Sequence, residues 1–281
     1  MVSSIYIDYS SYDRHHHHGL GRIIAAFSGK HGLEYLKTTA RWVKGQEIFP
    51  GFSDLSLGQR GAIRKILTKA KKIITASTFE KELIQHDFKD VADQHFAKVN
   101  LGTEHFNTNP GQPQRAVACV ARIEGLKNQY HLIKALANLD IPLHLYGQAA
   151  KHQPAYYKMC RSVSGNNISF KGYQSQKELA KLLPQYKVHA LPSYYETTGL
   201  SSLEALKAGC QVVVSNRGSQ PQIFGEHAHY CDPAAPTSIA EAVKKAMYTR
   251  GNHVSWVKEN FSWEKSAHEI LDIYNKIIHP I

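Results

Sequence analysis

The chain is short of several things, and each shortage removes a class of protein. Four cysteines in 281 residues (Cys119, Cys160, Cys210, Cys231) stand far apart and form no CxxC pair. A disulfide framework or a zinc ribbon is therefore excluded, and a reducing, cytoplasmic setting is expected. No apolar run approaches the roughly 18 residues that a membrane-crossing helix needs. The start, Met1 to Ile5, has neither the basic flank nor the long apolar core of a secretory signal. Zinc-finger, helix-turn-helix and ribonucleoprotein patterns are missing, so nucleic acid is not an expected partner. Acidic residues are in deficit, 23 against 34 Lys and Arg, for a net charge of +11. That excess fits an ordinary lysine-rich surface, and it also fits anionic partners such as nucleotides or acidic lipid. The cluster Arg60, Arg64, Lys65, Lys69, Lys71 and Lys72 falls partly on one expected helix and suits an anionic membrane surface.

Hydrophobic content of 42% supports packed domains rather than disorder. Strand-like and helix-like segments alternate through the second half. Strands are expected at 116–121, 143–146, 168–170, 188–191 and 211–215. Helices are expected at 128–139, 155–161, 177–183, 200–208 and 238–248, the last with Ile239, Val243 and Met247 at four-residue spacing. This alternation reads as a doubly wound parallel sheet, whose ligands sit beyond the carboxyl ends of the strands. In the first half, a strand at 5–9, a helix beginning at Gly19 to Phe27, turn-rich residues 45–58, a helix from about Ser56 or Gln59 to Lys71 and a strand at 72–76 are expected. Ser77 and Glu80 form a candidate capping box for a helix at 78–86. Residues 98–101 read as an edge strand and 107–114 as a linker. A helix at 262–278 ends the chain. Four consecutive histidines, His15 to His18, read as a solvated loop or an adventitious metal binder.

The chemistry concentrates in Glu196-Thr-Thr-Gly-Leu-Ser-Ser-Leu-Glu204, two glutamates enclosing seven residues. Thr198, Gly199 and Leu200 stand at the start of a helix, where unpaired amides favour anions. Glu196 can accept from sugar hydroxyls, and Glu204, one turn into the helix, from a vicinal diol. As a bare helix acid, Glu204 would also be favoured by the dipole. Arg122 and Lys127, just past a strand, can neutralise a diphosphate. Alone, such a pair is usually solvated; beside the glutamates it points to a nucleotide site.

Taken together, these stretches resemble the retaining glycosyltransferases of the GT-B fold, family 4 (glycosyl transferases group 1). The resemblance is carried by Val120 to Lys127, Ile168 to Tyr173, Leu191 to Leu200, Leu203 to Gly209, Val212 to Asn216 and Phe261 to Trp263, with Ile73 to Ser77 in the first half. It implies two Rossmann-like α/β domains, the N-terminal one reduced, because only about 110 residues precede the linker. On that basis residues 1–110 form an acceptor-side domain and 111–260 a nucleotide-sugar domain. Residues 261–281 form a helix crossing back to the first domain. Gly19 to Arg22 resembles the family's glycine turn.

The resemblance also implies roles. Arg122 and Lys127 bind the donor diphosphate, and Glu196 holds the donor sugar. Thr198, Gly199 and Leu200 offer backbone contacts, Glu204 binds the ribose, and backbone near Gly172 and Tyr173 meets the base. The donor is a UDP- or GDP-sugar, with no cofactor and no metal required. The acceptor is a polysaccharide, a lipid-linked sugar or lipopolysaccharide. Localisation is expected in the cytoplasm, with peripheral contact at an anionic membrane. The alternative is a non-catalytic nucleotide-sugar-binding subunit of a two-protein transferase, which calls for a partner subunit. Two departures stand out. Thr197 and Thr198 replace the family's Gly and Phe, and Gln222 stands at its frequent second acidic position, in a turn expected to face the donor.

Overall fold

The computed structural model describes residues 59–103, 113–151, 153–251 and 253–279. The strand expected at 5–9, the helix at 19–27, His15 to His18, the turns at 45–58 and most of the 107–114 linker lie outside them. The chain divides into two compact units, residues 1–73 with 84–96, and residues 74–83 with 97–281.

In chain order the described helices and strands are α1 (Gln59–Lys69), β1 (Ile73–Thr75), α2 (Thr78–Asp87), β2 (Phe96–Lys98), β3 (Gln114–Val120), α3 (Gln129–Leu136), β4 (Leu143–Tyr146), α4 (Pro154–Ser162) and β5 (Ile168–Gly172). There follow α5 (Gln176–Leu182), β6 (Tyr186–Leu191), α6 (Leu200–Lys207), β7 (Gln211–Ser215), α7 (Gln220–Phe224), β8 (His229–Cys231), α8 (Pro236–Tyr248), α9 (Val254–Asn260) and α10 (Trp263–Ile278).

In the first unit, Leu67, Phe88 and Val91 are buried. Arg64 Nε pairs with Asp90 Oδ2 at 2.9 Å. Lys65, Lys69, Lys71 and Lys72 are exposed; the Arg60 side chain lies outside the described set.

The second unit is built on a six-stranded parallel sheet of order β5-β4-β3-β6-β7-β8. Its central strands are buried on both faces, which is why they read as continuous apolar runs rather than alternating ones. Val117, Cys119, Leu143, Leu145 and Val188 pack on one face with Leu132 and Leu136 of α3 and Ile239 and Val243 of α8. Ala116, Ala118, Val212 and Val214 pack on the other face with Leu203 and Leu206 of α6 and Val257 of α9. The period-two alternation along β3, Ala116 and Ala118 against Val117 and Cys119, sends successive side chains into opposite cores. Burying each such Leu stabilises by about 1.5–3 kcal/mol.

Most expected elements appear within a residue or two. The strand expected at 98–101 instead lies at Phe96–Lys98. The 128–139 helix runs from Gln129 to Leu136, and a separate 3-10 turn, Gly125–Lys127, precedes it. The box at Ser77 is half as expected: Glu80 N donates to Ser77 Oγ at 3.1 Å, but the Glu80 carboxylate accepts from Ala76 N at 2.8 Å. A complete capping box instead starts α5, between Ser175 and Glu178. Three short elements, α7, β8 and α9, have no counterpart in the sequence reading.

Candidate functional site

Every residue assigned to the site lies in the second unit, at or just beyond the carboxyl ends of the parallel strands, in β5, in the loops and in the start of α6. The loop after β3 is held by amide side chains. Gln129 Nε2 donates to Arg122 O at 2.7 Å, and Glu124 N donates to Gln129 Oε1 at 3.3 Å. Arg122 is 63% exposed and its Nη2 lies 3.2 Å from Oε1 of buried Glu124. Gly125 N donates to Gln153 Oε1 at 2.8 Å. A Cβ on Gly125 would meet nothing closer than 3.5 Å.

Asn128 follows, in the left-handed conformation at φ 59°. Asparagine tolerates this region better than other non-glycine residues. Its buried Nδ2 donates to Pro192 O at 3.0 Å and Pro233 O at 2.7 Å. One side chain thus ties together the loops after β3, β6 and β8. Sequence reasoning passed over this residue; its place just before a helix was the available signal.

Lys127 and Glu196, 69 positions apart, meet here. Lys127 Nζ lies 2.6 Å from Glu196 Oε1, with the side chains 15% and 11% exposed. Ser193 Oγ donates to the same oxygen at 2.9 Å. Tyr194 N donates to Leu126 O at 2.9 Å, fixing the β6 loop against the β3 loop. From the other side, the Ser219 hydroxyl contacts Glu196 O and Thr197 O, each at 2.5 Å.

Gly199 is the N-cap of α6, left-handed at φ 75°, with no side-chain cap. The Leu200 and Ser201 amides, first and second in the helix, have no intrahelical acceptor and favour an anion. A Cβ on Gly199 would lie 2.9 Å from Gln220 Oε1, so the neighbouring side chain as well as the left-handed backbone favours glycine. Two buried polar atoms flank this turn without a partner among the described residues, Thr198 Oγ1 and Gln220 Nε2.

Glu204, buried one turn into α6, accepts from Gln176 Nε2 at 3.0 Å. Gln176 opens α5 three residues after Tyr173, whose side chain is exposed. Gly172 O, at the end of β5, accepts from Gly147 N at 2.8 Å. The β5 loop and Glu204 are therefore joined, while Arg122 pairs with Glu124 rather than Glu196. Gln222 lies in α7, and its Oε1 accepts from Phe79 N at 2.8 Å and caps α2. Beneath the site, His189 is fully buried, accepting from Val120 N through Nε2 at 3.3 Å, with Nδ1 3.4 Å from Ser202 Oγ. Burial pushes its pKa down to about 3, so the ring is neutral.

Among the described residues no group of three or more His, Cys, Asp or Glu is placed to hold a metal. Among the same residues no helix is long and apolar enough to cross a membrane.

Residues 102–269 match the family described as Glycosyl transferases group 1. The chain belongs to that family. The MMP alpha-(1->4)-mannosyltransferase of Mycolicibacterium hassiacum is 23% identical over 231 residues, 76% of this chain and 56% of the relative. The O-antigen chain mannosyltransferase B of Escherichia coli is 26% identical over 242 residues, 76% of this chain and 62% of the relative. The chain thus spans just over half the length of these curated relatives. Sucrose-phosphate synthase from Thermosynechococcus elongatus superposes with a TM-score of 0.68 at 19% identity, covering 84% of this chain and 65% of that one. HepE of Anabaena, solved with UDP and glucose, gives 0.69 at 18% identity, covering 78% and 67%. The fold class is the expected one, α/β of the GT-B type with Rossmann-like domains. Within this glycosyltransferase family, the Lys127–Glu196 contact and the left-handed Gly199 are the features of this chain's site that bear most directly on chemistry.

Proposed function

We propose that the chain transfers a sugar from a UDP- or GDP-sugar to a polysaccharide, lipid-linked or lipopolysaccharide acceptor, with retention at the anomeric carbon. The observation that carries this reading is the convergence of Lys127 and Glu196, 2.6 Å apart, on the helix start that Gly199 opens. A diphosphate beside the Leu200 and Ser201 amides would meet Lys127, with Arg122 free in its exposure to turn toward it. These groups oppose the charge that grows on the leaving nucleoside diphosphate. Glu196 accepts from hydroxyls of the donor sugar, Glu204 takes the ribose diol, and backbone at Gly172 and Tyr173 meets the base. Two mannosyltransferases among the relatives support a hexose as the sugar. Residues 1–110 supply the acceptor side in this proposal, and residues 111–260 the donor side. The exposed Lys65, Lys69, Lys71 and Lys72 support peripheral contact with the inner face of an anionic membrane.

The test is a panel of UDP- and GDP-sugars, read by calorimetry and by release of the nucleoside diphosphate. One donor should bind and turn over, and NMR of the product should show the donor's anomeric configuration. Glu196→Ala and Lys127→Ala should each remove most transfer while leaving the fold intact by circular dichroism. Failure to bind any donor, or wild-type rates in both variants, refutes the reading. Tight binding with no transfer to any acceptor would favour a binding subunit instead.

A further inference from the structure

Glu196 carries both of its side-chain hydrogen bonds on one oxygen. Lys127 Nζ and Ser193 Oγ reach Oε1 at 2.6 and 2.9 Å, and among the described residues Oε2 has no protein partner. The two donors differ in how firmly they are placed. Lys127 sits at the end of a flexible four-carbon stem, and its charge is the one a diphosphate would claim. Ser193 is 1% exposed, and it follows Pro192, whose carbonyl is held by Asn128 Nδ2 at 3.0 Å. Its short side chain has almost no freedom to leave.

Donor entry therefore poses a physical problem. If Lys127 turns to the diphosphate, a largely buried carboxylate loses its counter-charge, a costly change unless other donors hold it. Ser193 is the donor already in place. We infer that Ser193 is a positioning residue for Glu196: its hydroxyl keeps Oε1 fixed while Lys127 changes partner, so that Oε2 stays presented to a hydroxyl of the donor sugar. This inference rests on the donor reading above. The sugar hydroxyl replaces the ammonium at the carboxylate, and the sugar and the diphosphate thereby bind as one event.

Ser193→Ala tests this with UDP, GDP and the sugar nucleotide that the wild type takes from the panel. The free nucleoside diphosphate should bind the variant within about twofold of wild type, which also reports that the domain is folded. The sugar nucleotide should bind about tenfold more weakly, the scale of losing one hydrogen bond to a charged group. Turnover should fall with it. Ser193→Cys, close in volume but a weak donor, should fall between. In the Glu196→Ala background, Ser193→Ala should change nothing further, because its effect passes through Glu196. Equal weakening of nucleoside diphosphate and sugar nucleotide would mean a merely structural role and overturn the inference. So would additivity with Glu196→Ala, or unchanged sugar-nucleotide binding in Ser193→Ala. A wild type that binds no sugar nucleotide overturns the proposed function itself, and this inference with it.

Discussion

Replacing Gly199 by alanine should be among the more damaging single-methyl changes available in this protein. Two costs add. The residue is left-handed at φ 75°, which charges a non-glycine side chain about 1–2 kcal/mol. The new Cβ would also stand 2.9 Å from Gln220 Oε1, 3.3 Å from its Nε2 and 3.4 Å from a Phe224 ring carbon. Gln220 and Phe224 are both buried, so neither can swing into solvent, and overpacking of this kind costs about 1–3 kcal/mol. The total is about 2–5 kcal/mol. Gly209→Ala supplies the control. That glycine is left-handed at φ 94°, but nothing lies within 4 Å of its would-be Cβ, so only the conformational cost applies. The reduced freedom of the unfolded chain is common to both variants and cancels. Urea denaturation should place Gly199→Ala about 1–3 kcal/mol below Gly209→Ala. Donor binding should suffer only in Gly199→Ala, because only that change displaces the Leu200 and Ser201 amides. Equal stability of the two variants would refute the packing argument at Gly199.

Asn128→Gly should keep the left-handed backbone but lose two hydrogen bonds to carbonyls, lowering stability by about 1–3 kcal/mol, with Asn128→Ala lower by about 1–2 more; urea midpoints in the opposite order would contradict the tie it makes between loops. Thr198→Val replaces a buried hydroxyl that has no partner among the described residues with a methyl of the same shape, and should raise stability by about 1 kcal/mol; a loss on calorimetric melting would show the hydroxyl to be bonded. His189 gives a pH dependence of definite sign. Its folded pKa of about 3 lies below the ordinary 6.5, so below pH 6.5 the unfolded chain binds a proton that the folded chain refuses. Its contribution is constant above that pH and falls by about 1.4 kcal/mol per unit below it, about 2 kcal/mol by pH 5. Urea titrations from pH 7.5 to 5 should show this slope, and His189→Gln should flatten it by the same amount.

Much of the donor-side architecture was legible because its elements are locally redundant. β4 and β7 have the bounds expected from sequence, 143–146 and 211–215, since a strand buried on both faces is built mostly of apolar residues. The start of α5 is encoded locally by Ser175, whose side chain takes the Glu178 amide as a cap should. α7, β8 and α9 run only 5, 3 and 7 residues, too short for a hydrophobic period to show. The resemblance to a family singled out Glu196, Glu204, Arg122 and Lys127, and what it could not say is which of them touch. Nor could it say that Gln222, in a loop expected to face the donor, would be spent capping α2.

By itself the sequence determined the alternation of strands and helices, the helix start at Gly199 and the charged residues available beside it. All of these are encoded within a turn or two of chain, where propensity and periodicity act. Only the tertiary structure decided that Lys127 and Ser193 converge on one oxygen of Glu196, that Gln176 holds Glu204, and that Asn128 binds three loops. Those contacts join residues up to 105 positions apart. They exist because the parallel register of β3, β6 and β8 brings the carboxyl ends of those strands to one edge of the sheet, and no local pattern records that register.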